Sequence, residues 1–261
     1  MSTRFAKYHG LGNDFILVEG PLMDAARAAQ LCDRRRGIGA DGVLTILPAR
    51  DGGAAFMHIF NSDGSVAKMC GNGIRCVARH LAESRMLGES LVIETEAGPK
   101  RCQVHRAASG LVEAITVDMG PARVEGDQHI EVAGEQFAAL RVSMGNPHAV
   151  IFGEASRERA GKLGPLVEAM VPGGVNVGFA NPHGNVIDLV VWERGAGLTE
   201  ACGTGACAAT VAAVRAGKVP AGERVQVNLP GGALQITVGA DLRDVEMRGP
   251  AEKTFEGVTE L

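Results

Sequence analysis

Met69-Cys70-Gly71-Asn72-Gly73-Ile74-Arg75-Cys76 and Ala201-Cys202-Gly203-Thr204-Gly205-Ala206-Cys207 carry the same Cys-Gly-x-Gly turn, 132 positions apart (202 − 70). Each turn leads into a helical pattern. After the first, Ile74, Val77, Ala78, Leu81 and Ala82 recur at the spacing of one helix face, and Gly88 lies just beyond. After the second, Ala206 to Ala216 is apolar on nearly every side until Arg215 and Gly217, the mark of a helix buried all round.

Outward from these turns the register persists. Gly12-Asn13 runs into Asp14-Phe-Ile-Leu-Val18, and Gly145-Asn146 runs into Pro147-His-Ala-Val-Ile151, an offset of 133 (146 − 13). The loop at Gly98 has its counterpart at Gly232, an offset of 134. Three landmarks in one register imply a duplicated unit of about half the chain. Strand-like runs surround each helix: 15–19, 42–47, 55–60 and 91–94 in the first half, 149–152, 186–193, 225–229 and 234–238 in the second. Further helices are expected near 24–35 and 156–170. The expectation is an α+β fold of two pseudo-symmetric halves, each a mostly antiparallel sheet or barrel around a central buried helix. Residues 1–119, with 250–261 returning to them, form one lobe and 120–249 the other, with the active site in the cleft between.

Composition narrows the function classes. Of 261 residues, 36 are glycine, about twice the usual share, with no Gly-X-Y period. A net charge of −4 argues against a nucleic-acid partner. The longest apolar run, Gly205 to Val214, is too short to span a bilayer, and the N-terminal stretch has no signal-peptide core. A cytoplasmic protein without a membrane partner is expected, with its six cysteines reduced unless two are drawn together for chemistry.

Glycines beside a helix N-terminus present several N–H groups and a partial positive charge, which suits a carboxylate and favours ionisation of a neighbouring thiol. One cysteine at a helix start is ordinarily a small buried hydrophobe. Duplication argues otherwise for Cys70 and Cys202, but not for Cys32, Cys76, Cys102 or Cys207, which sit inside helix or strand patterns. Two thiols facing one carbon from opposite sides are what inversion requires: one as thiolate removes the α-hydrogen, the other delivers a proton to the far face. Paired helix N-termini would stabilise the charge that develops on the substrate carboxylate. The chemistry read from the residues is that of an amino-acid racemase or epimerase acting on a small molecule.

Polar residues gather near these turns. Asn13 and Asn146 are the repeated asparagines. Asn61 precedes Cys70 by nine positions, as Glu193 precedes Cys202, and Arg194 follows the apolar Val190-Val191-Trp192. A charge at the end of so buried a strand suggests a bidentate clamp for a second carboxylate. No zinc pattern of paired Cys-x-x-Cys occurs, and the lysines lie in ordinary charged contexts, Lys68 alone standing near the site, so neither a metal nor pyridoxal phosphate is implied.

His9-Gly-Leu-Gly-Asn-Asp-Phe15, Asn61-Ser-Asp-Gly-Ser65, Met69–Cys76, Met144-Gly-Asn-Pro-His148, Asn176-Val-Gly-Phe179 and Trp192–Gly205 together resemble the successive motifs of the diaminopimelate epimerase family, in order and spacing, from about residue 5 to 240. The resemblance implies a cofactor-independent enzyme interconverting LL- and meso-diaminopimelate for lysine and peptidoglycan precursors, with lobes that close over substrate and a homodimeric assembly. It implies Cys70 and Cys202 as the acid/base pair, and backbone donors to the reacting carboxylate from Gly71-Asn72 and Gly203-Thr204. It further implies Asn13, Asn61, Asn146, Asn176 and Arg194 as substrate ligands, with His148 and Glu193 positioning the reacting amino group. Gly42 stands where many members carry glutamine, and Ala149 where cysteine is frequent.

Three other readings compete. A related racemase acting on proline, hydroxyproline or histidine would not need Arg194 and the asparagine set. A cysteine hydrolase with His148 as base leaves one thiol without a role. A non-catalytic binding protein would bind ligand without exchanging its α-hydrogen.

Overall fold

The computed structural model describes residues 2–260, so the expected lobe ranges begin and end on residues outside it. By internal contacts the chain divides into two compact units. One holds the residues up to Val117 together with those from Gly249 onward, and the other is Asp118–Arg248.

The first unit contains β1 (Thr3–Gly10), β2 (Asn13–Glu19), α1 (Ala25–Cys32), β3 (Gly42–Leu47), β4 (Ala55–Asn61), β5 (Val66–Ala67), α2 (Gly71–Ser84), β6 (Ser90–Glu94), β7 (Lys100–Arg106) and β8 (Val112–Asp118). The second contains β9 (Arg123–Val132), β10 (Glu135–Ser143), β11 (Pro147–Phe152), α3 (Arg157–Met170), β12 (Asn176–His183), β13 (Val186–Glu193), β14 (Gly197–Leu198), α4 (Gly203–Arg215), β15 (Arg224–Leu229), β16 (Gly232–Val238) and β17 (Val245–Gly249). The last strand, β18 (Glu252–Thr259), pairs antiparallel with β1 in the first unit.

Strand pairing is the same in both units. In the first, β1–β2 is antiparallel, β2–β3 parallel, β3–β4 antiparallel, β4–β6 parallel, and β6–β7 and β7–β8 antiparallel. In the second, β10–β11, β11–β12, β12–β13, β13–β15, β15–β16 and β16–β17 repeat that series. β18 on β1 corresponds to β9 on β10. The duplicated register of the sequence is thus a duplicated topology, α+β and mostly antiparallel.

Each sheet has a helix on both faces. Residues of a strand point alternately to its two sides, so Val43 joins Ile16, Val18, Ala28 and Leu31 in the core beneath α1, while Leu44 meets Gly73 of α2. Likewise Val190 joins Ala160, Leu163 and Val167 beneath α3, while Val191 meets Gly205 of α4. The outer helices are polar on one side and capped in the ordinary way: Asp24 accepts from Arg27 N–H at 2.8 Å and Ser156 from Arg159 N–H at 3.2 Å. The inner helices are buried, α2 against β1, β2, β3, β6 and β7, and α4 against β10, β11, β12, β13, β15 and β16. Small residues make the second possible, since Ala206, Ala208, Ala209, Ala212 and Ala213 let strands approach from several sides. In the first, Ile74, Val77 and Leu81 are wholly buried, each burial contributing roughly 1.5–3 kcal/mol.

Candidate active site

Each inner helix begins at a cysteine. Cys70 is the N-cap of α2, in extended conformation, and its Sγ accepts from Gly73 N–H at 3.4 Å. Cys202 is the N-cap of α4 and is buried. The glycines that follow are a packing requirement as much as a turn signal. A Cβ at Gly205 would lie 3.1 Å from Cys202 Sγ and 3.0 Å from Val191, and one at Gly73 would lie 3.2 Å from Leu44. Cys32, Cys76, Cys102 and Cys207 are all buried in helices or strands.

In the first unit Asn13 opens β2 after the left-handed pair Leu11 and Gly12, whose φ angles are 56° and 82°. Its Oδ1 accepts from Asn72 Nδ2 at 3.1 Å and lies 4.0 Å from Cys70 Sγ, while its Nδ2 donates to Asp41 Oδ2 at 2.8 Å. Asn72 Oδ1 in turn accepts from Arg75 Nη2 at 2.9 Å. Asn13, Cys70, Gly71 and Asn72 therefore form one cluster. Asn61, at the exposed end of β4, donates instead to Ser65 Oγ at 2.9 Å across the hairpin that follows.

In the second unit Asn146 Nδ2 donates to Thr204 Oγ1 at 3.2 Å, Thr204 Oγ1 lies 3.7 Å from Cys202 Sγ, and His148 Nε2 meets Asn146 Oδ1 at 3.1 Å. His148 thus reaches the thiol through Asn146 and Thr204. Burial above all, with the charges of Arg141 and Arg194, pulls its pKa down to about 3, so the ring is neutral. Glu193 ends β13 as Asn61 ends β4, and it too is held across a hairpin: Thr199 Oγ1 donates to its Oε1 at 2.6 Å. Asn176 Nδ2 donates to the Pro147 carbonyl at 3.1 Å, and its Oδ1 accepts from Arg194 N–H at 3.0 Å. The Arg194 guanidinium rests on the Gly173 carbonyl at 3.0 Å.

Two expectations change here. The helix N-terminus does not make Cys202 ionise readily. Burial, reinforced by the Glu193 carboxylate, pushes its pKa well above that of an ordinary thiol, against the smaller opposing effect of the Thr204 hydroxyl. The second concerns Gly42, where a Cβ would lie 2.6 Å from the Phe60 carbonyl oxygen, so that a side chain there requires the backbone to shift.

Sequence reading passed over the groups that hold this machinery. Asp41 and Arg34 stand behind Asn13: Arg34 spans Asp14 at 2.7 and 3.1 Å and Asp41 at 2.8 Å, and Lys7 pairs with Asp14 at 2.6 Å. These contacts hold the Asp14 carboxyl well below the usual range against the opposing effect of burial. Arg75 was visible inside the cysteine motif, three residues past Asn72 and so on the same helix face, but one sequence offers no sign of its partner. Among the described residues no group of three His, Cys, Asp or Glu is arranged to hold a metal ion.

Across 99% of this chain and 92% of the other, the fold matches a solved structure of a probable proline racemase from Agrobacterium radiobacter, with a TM-score of 0.80 at 17% identity. The two chains therefore share one fold. The sequence profile of the family named Diaminopimelate epimerase matches residues 5–125 and 140–254. The chain is 42% identical over 288 residues to the diaminopimelate epimerase of Gloeothece citriformis, covering 100% of both. It is 44% identical over 284 residues to that of a Synechococcus strain, covering 98% of this chain and 97% of that one. The chain belongs to the diaminopimelate epimerase family.

Proposed function

We propose that this protein converts LL-diaminopimelate to meso-diaminopimelate without a cofactor, Cys70 and Cys202 acting on opposite faces of one α-carbon. The observation that carries the reading is the duplicated N-cap cysteine: each unit starts its buried helix with a thiol beside two glycines and next to an asparagine-held polar residue, Asn72 in one and Thr204 in the other. As one sulfur takes the α-hydrogen the other gives up its proton, so the enzyme ends with its protonation exchanged between the two thiols and no net change. On this reading the lobes are 1–119 with 250–261 and 120–249, and each contributes residues that act on the substrate. Gly71-Asn72 and Gly203-Thr204 give backbone donors to the reacting carboxylate. Asn13, Asn61, Asn146, Asn176 and Arg194 hold the rest of the amino acid, and Glu193 with His148 sets the reacting amino group.

The setting we infer is cytoplasmic and the assembly a homodimer. The motif resemblance implies the homodimer, and no helix among the described residues is long and apolar enough to cross a membrane. The test is a substrate panel followed by chiral chromatography. Turnover of LL-diaminopimelate is expected, and turnover of proline without it would overturn the reading. Light scattering on the purified chain decides the assembly, a dimer mass being expected.

A further inference from the structure

Two glycines end the turn that follows α3, and they are there for different reasons. Gly174 N–H donates to the Val171 carbonyl at 2.8 Å, closing a turn with Pro172 and Gly173 at its centre. Gly173 has a φ of 81°, which a type II turn asks of its third residue, so glycine at that position is a turn requirement. A Cβ on Gly173 would meet nothing within 4 Å. Gly174 follows the central pair with a φ of 73°, and its surroundings are the opposite. A Cβ there would lie 2.7 Å from Arg194 Cδ, 2.9 Å from Arg194 Cγ and 3.3 Å from Glu168 Oε1. The aliphatic stem of Arg194 occupies the space that a side chain would take.

The rest of Arg194 is tied down. Its own N–H donates to Asn176 Oδ1 at 3.0 Å, the N–H of Gly195 donates to Glu168 Oε1 at 3.2 Å, and Arg194 Nη1 donates to the Gly173 carbonyl at 3.0 Å. With the backbone held on both sides of Arg194, a Cβ at position 174 displaces the stem, and the guanidinium leaves the turn with it. The first unit differs at this place. Gly42 opens β3 beside β2 as Asn176 opens β12 beside β11, so Ala40 stands where Gly174 does, two residues earlier. There Ser62 follows Asn61, where Arg194 follows Glu193. The copy with no arginine to seat carries a Cβ.

We propose that Gly174 is a positioning residue for the reaction: by leaving out a side chain it seats the Arg194 stem and fixes where the guanidinium meets the second carboxylate of the substrate. The proposal rests on Arg194 being a substrate ligand, as read above; Gly174 itself touches no substrate. A guanidinium gives a carboxylate two parallel hydrogen bonds only when its plane is correctly set, and setting it before substrate arrives removes the cost of ordering a long side chain on binding.

The test is a double-mutant cycle on kcat/KM for LL-diaminopimelate. Gly174→Ala is expected to lower kcat/KM about tenfold or more, the scale of a misplaced substrate clamp. Gly222→Ala controls for backbone strain alone, because Gly222 has a φ of 77° and a Cβ there would meet nothing within 4 Å. Its kcat/KM should stay close to the parent value. Arg194→Met removes the guanidinium and keeps most of the stem, so it should lower kcat/KM by itself. In that background Gly174→Ala should cause no further loss, since a residue that acts through another is not additive with it. The proposal is overturned by a Gly174→Ala enzyme no worse than Gly222→Ala, or by the same loss repeated in the Arg194→Met background. Full activity in Arg194→Met would overturn the reading of Arg194 itself, and that result needs no change at position 174. A second measurement uses the unaltered chain and stands even if Gly174→Ala does not fold. Without substrate, ¹⁵N relaxation should find the Arg194 Nε–H ordered; an Nε–H as mobile as that of the exposed Arg35 would overturn the proposal.

Discussion

Trp192 Nε1 donates to Glu168 Oε2 at 2.7 Å, and the other oxygen of that carboxylate accepts from Gly195 N–H at 3.2 Å. One side chain of α3 therefore grips the chain on both sides of Glu193 and Arg194, the pair proposed to meet the substrate. One turn earlier on the same helix, Gly164 is pressed against the indole, and a Cβ there would lie 2.5 Å from Trp192 Cβ and Cγ. Gly164→Ala must push the indole aside and is expected to cost about 1–3 kcal/mol by overpacking. A urea-unfolding midpoint unchanged from the parent would contradict that packing.

The buried His148 links stability to acid. Its pKa is about 3 in the fold and near 6.5 in the unfolded chain, so the unfolded state binds the extra proton between those values. The fold is at full strength above pH 6.5 and weakens as pH drops toward 3, by up to about 1.4 kcal/mol per pH unit from this one group. His148→Gln should flatten that part of the profile. Denaturant midpoints measured from pH 4 to 8 check it, and equal slopes for parent and variant would count against a neutral buried ring.

Cys202 should be slow toward iodoacetamide at pH 7 and quicken as pH rises past the ordinary thiol range, since burial and the Glu193 carboxylate both disfavour its thiolate. Glu193→Gln removes the nearby negative charge. Alkylation of the Cys202 peptide should then be several-fold faster at the same pH. No acceleration would mean that burial alone sets the reactivity.

The parts of the site legible in the sequence are those the duplication wrote twice. Cys70 and Cys202, Asn13 and Asn146, and Asn61 and Glu193 each occupy matching places in two topologies, and matched spacing is visible without a structure. The supporting groups come in single copies from distant positions. Asp41 lies 28 residues from Asn13, and Glu168 lies 24 from Trp192; strand register and helix docking bring them together, and local pattern carries neither. Among the strands that these runs did not include, β1 and β18 lack a local pattern of their own. β18 reads Glu-Lys-Thr-Phe-Glu-Gly-Val-Thr and is exposed along most of its length, so no apolar alternation marks it, and β1 was hidden by its mixed polar residues. The elevated pKa of Cys202 was misread because the helix N-terminus is a local feature, while desolvation depends on everything packed around the thiol.

The central claim is that two thiols, one from each unit, exchange the α-hydrogen of diaminopimelate, and its most direct measurement is α-proton exchange from LL-diaminopimelate in D₂O. The unaltered enzyme should incorporate solvent deuterium while inverting the centre. Cys70→Ala and Cys202→Ala should each lose inversion by about two to four orders of magnitude, the scale of a missing acid or base. Full exchange and inversion in either variant would contradict the claim.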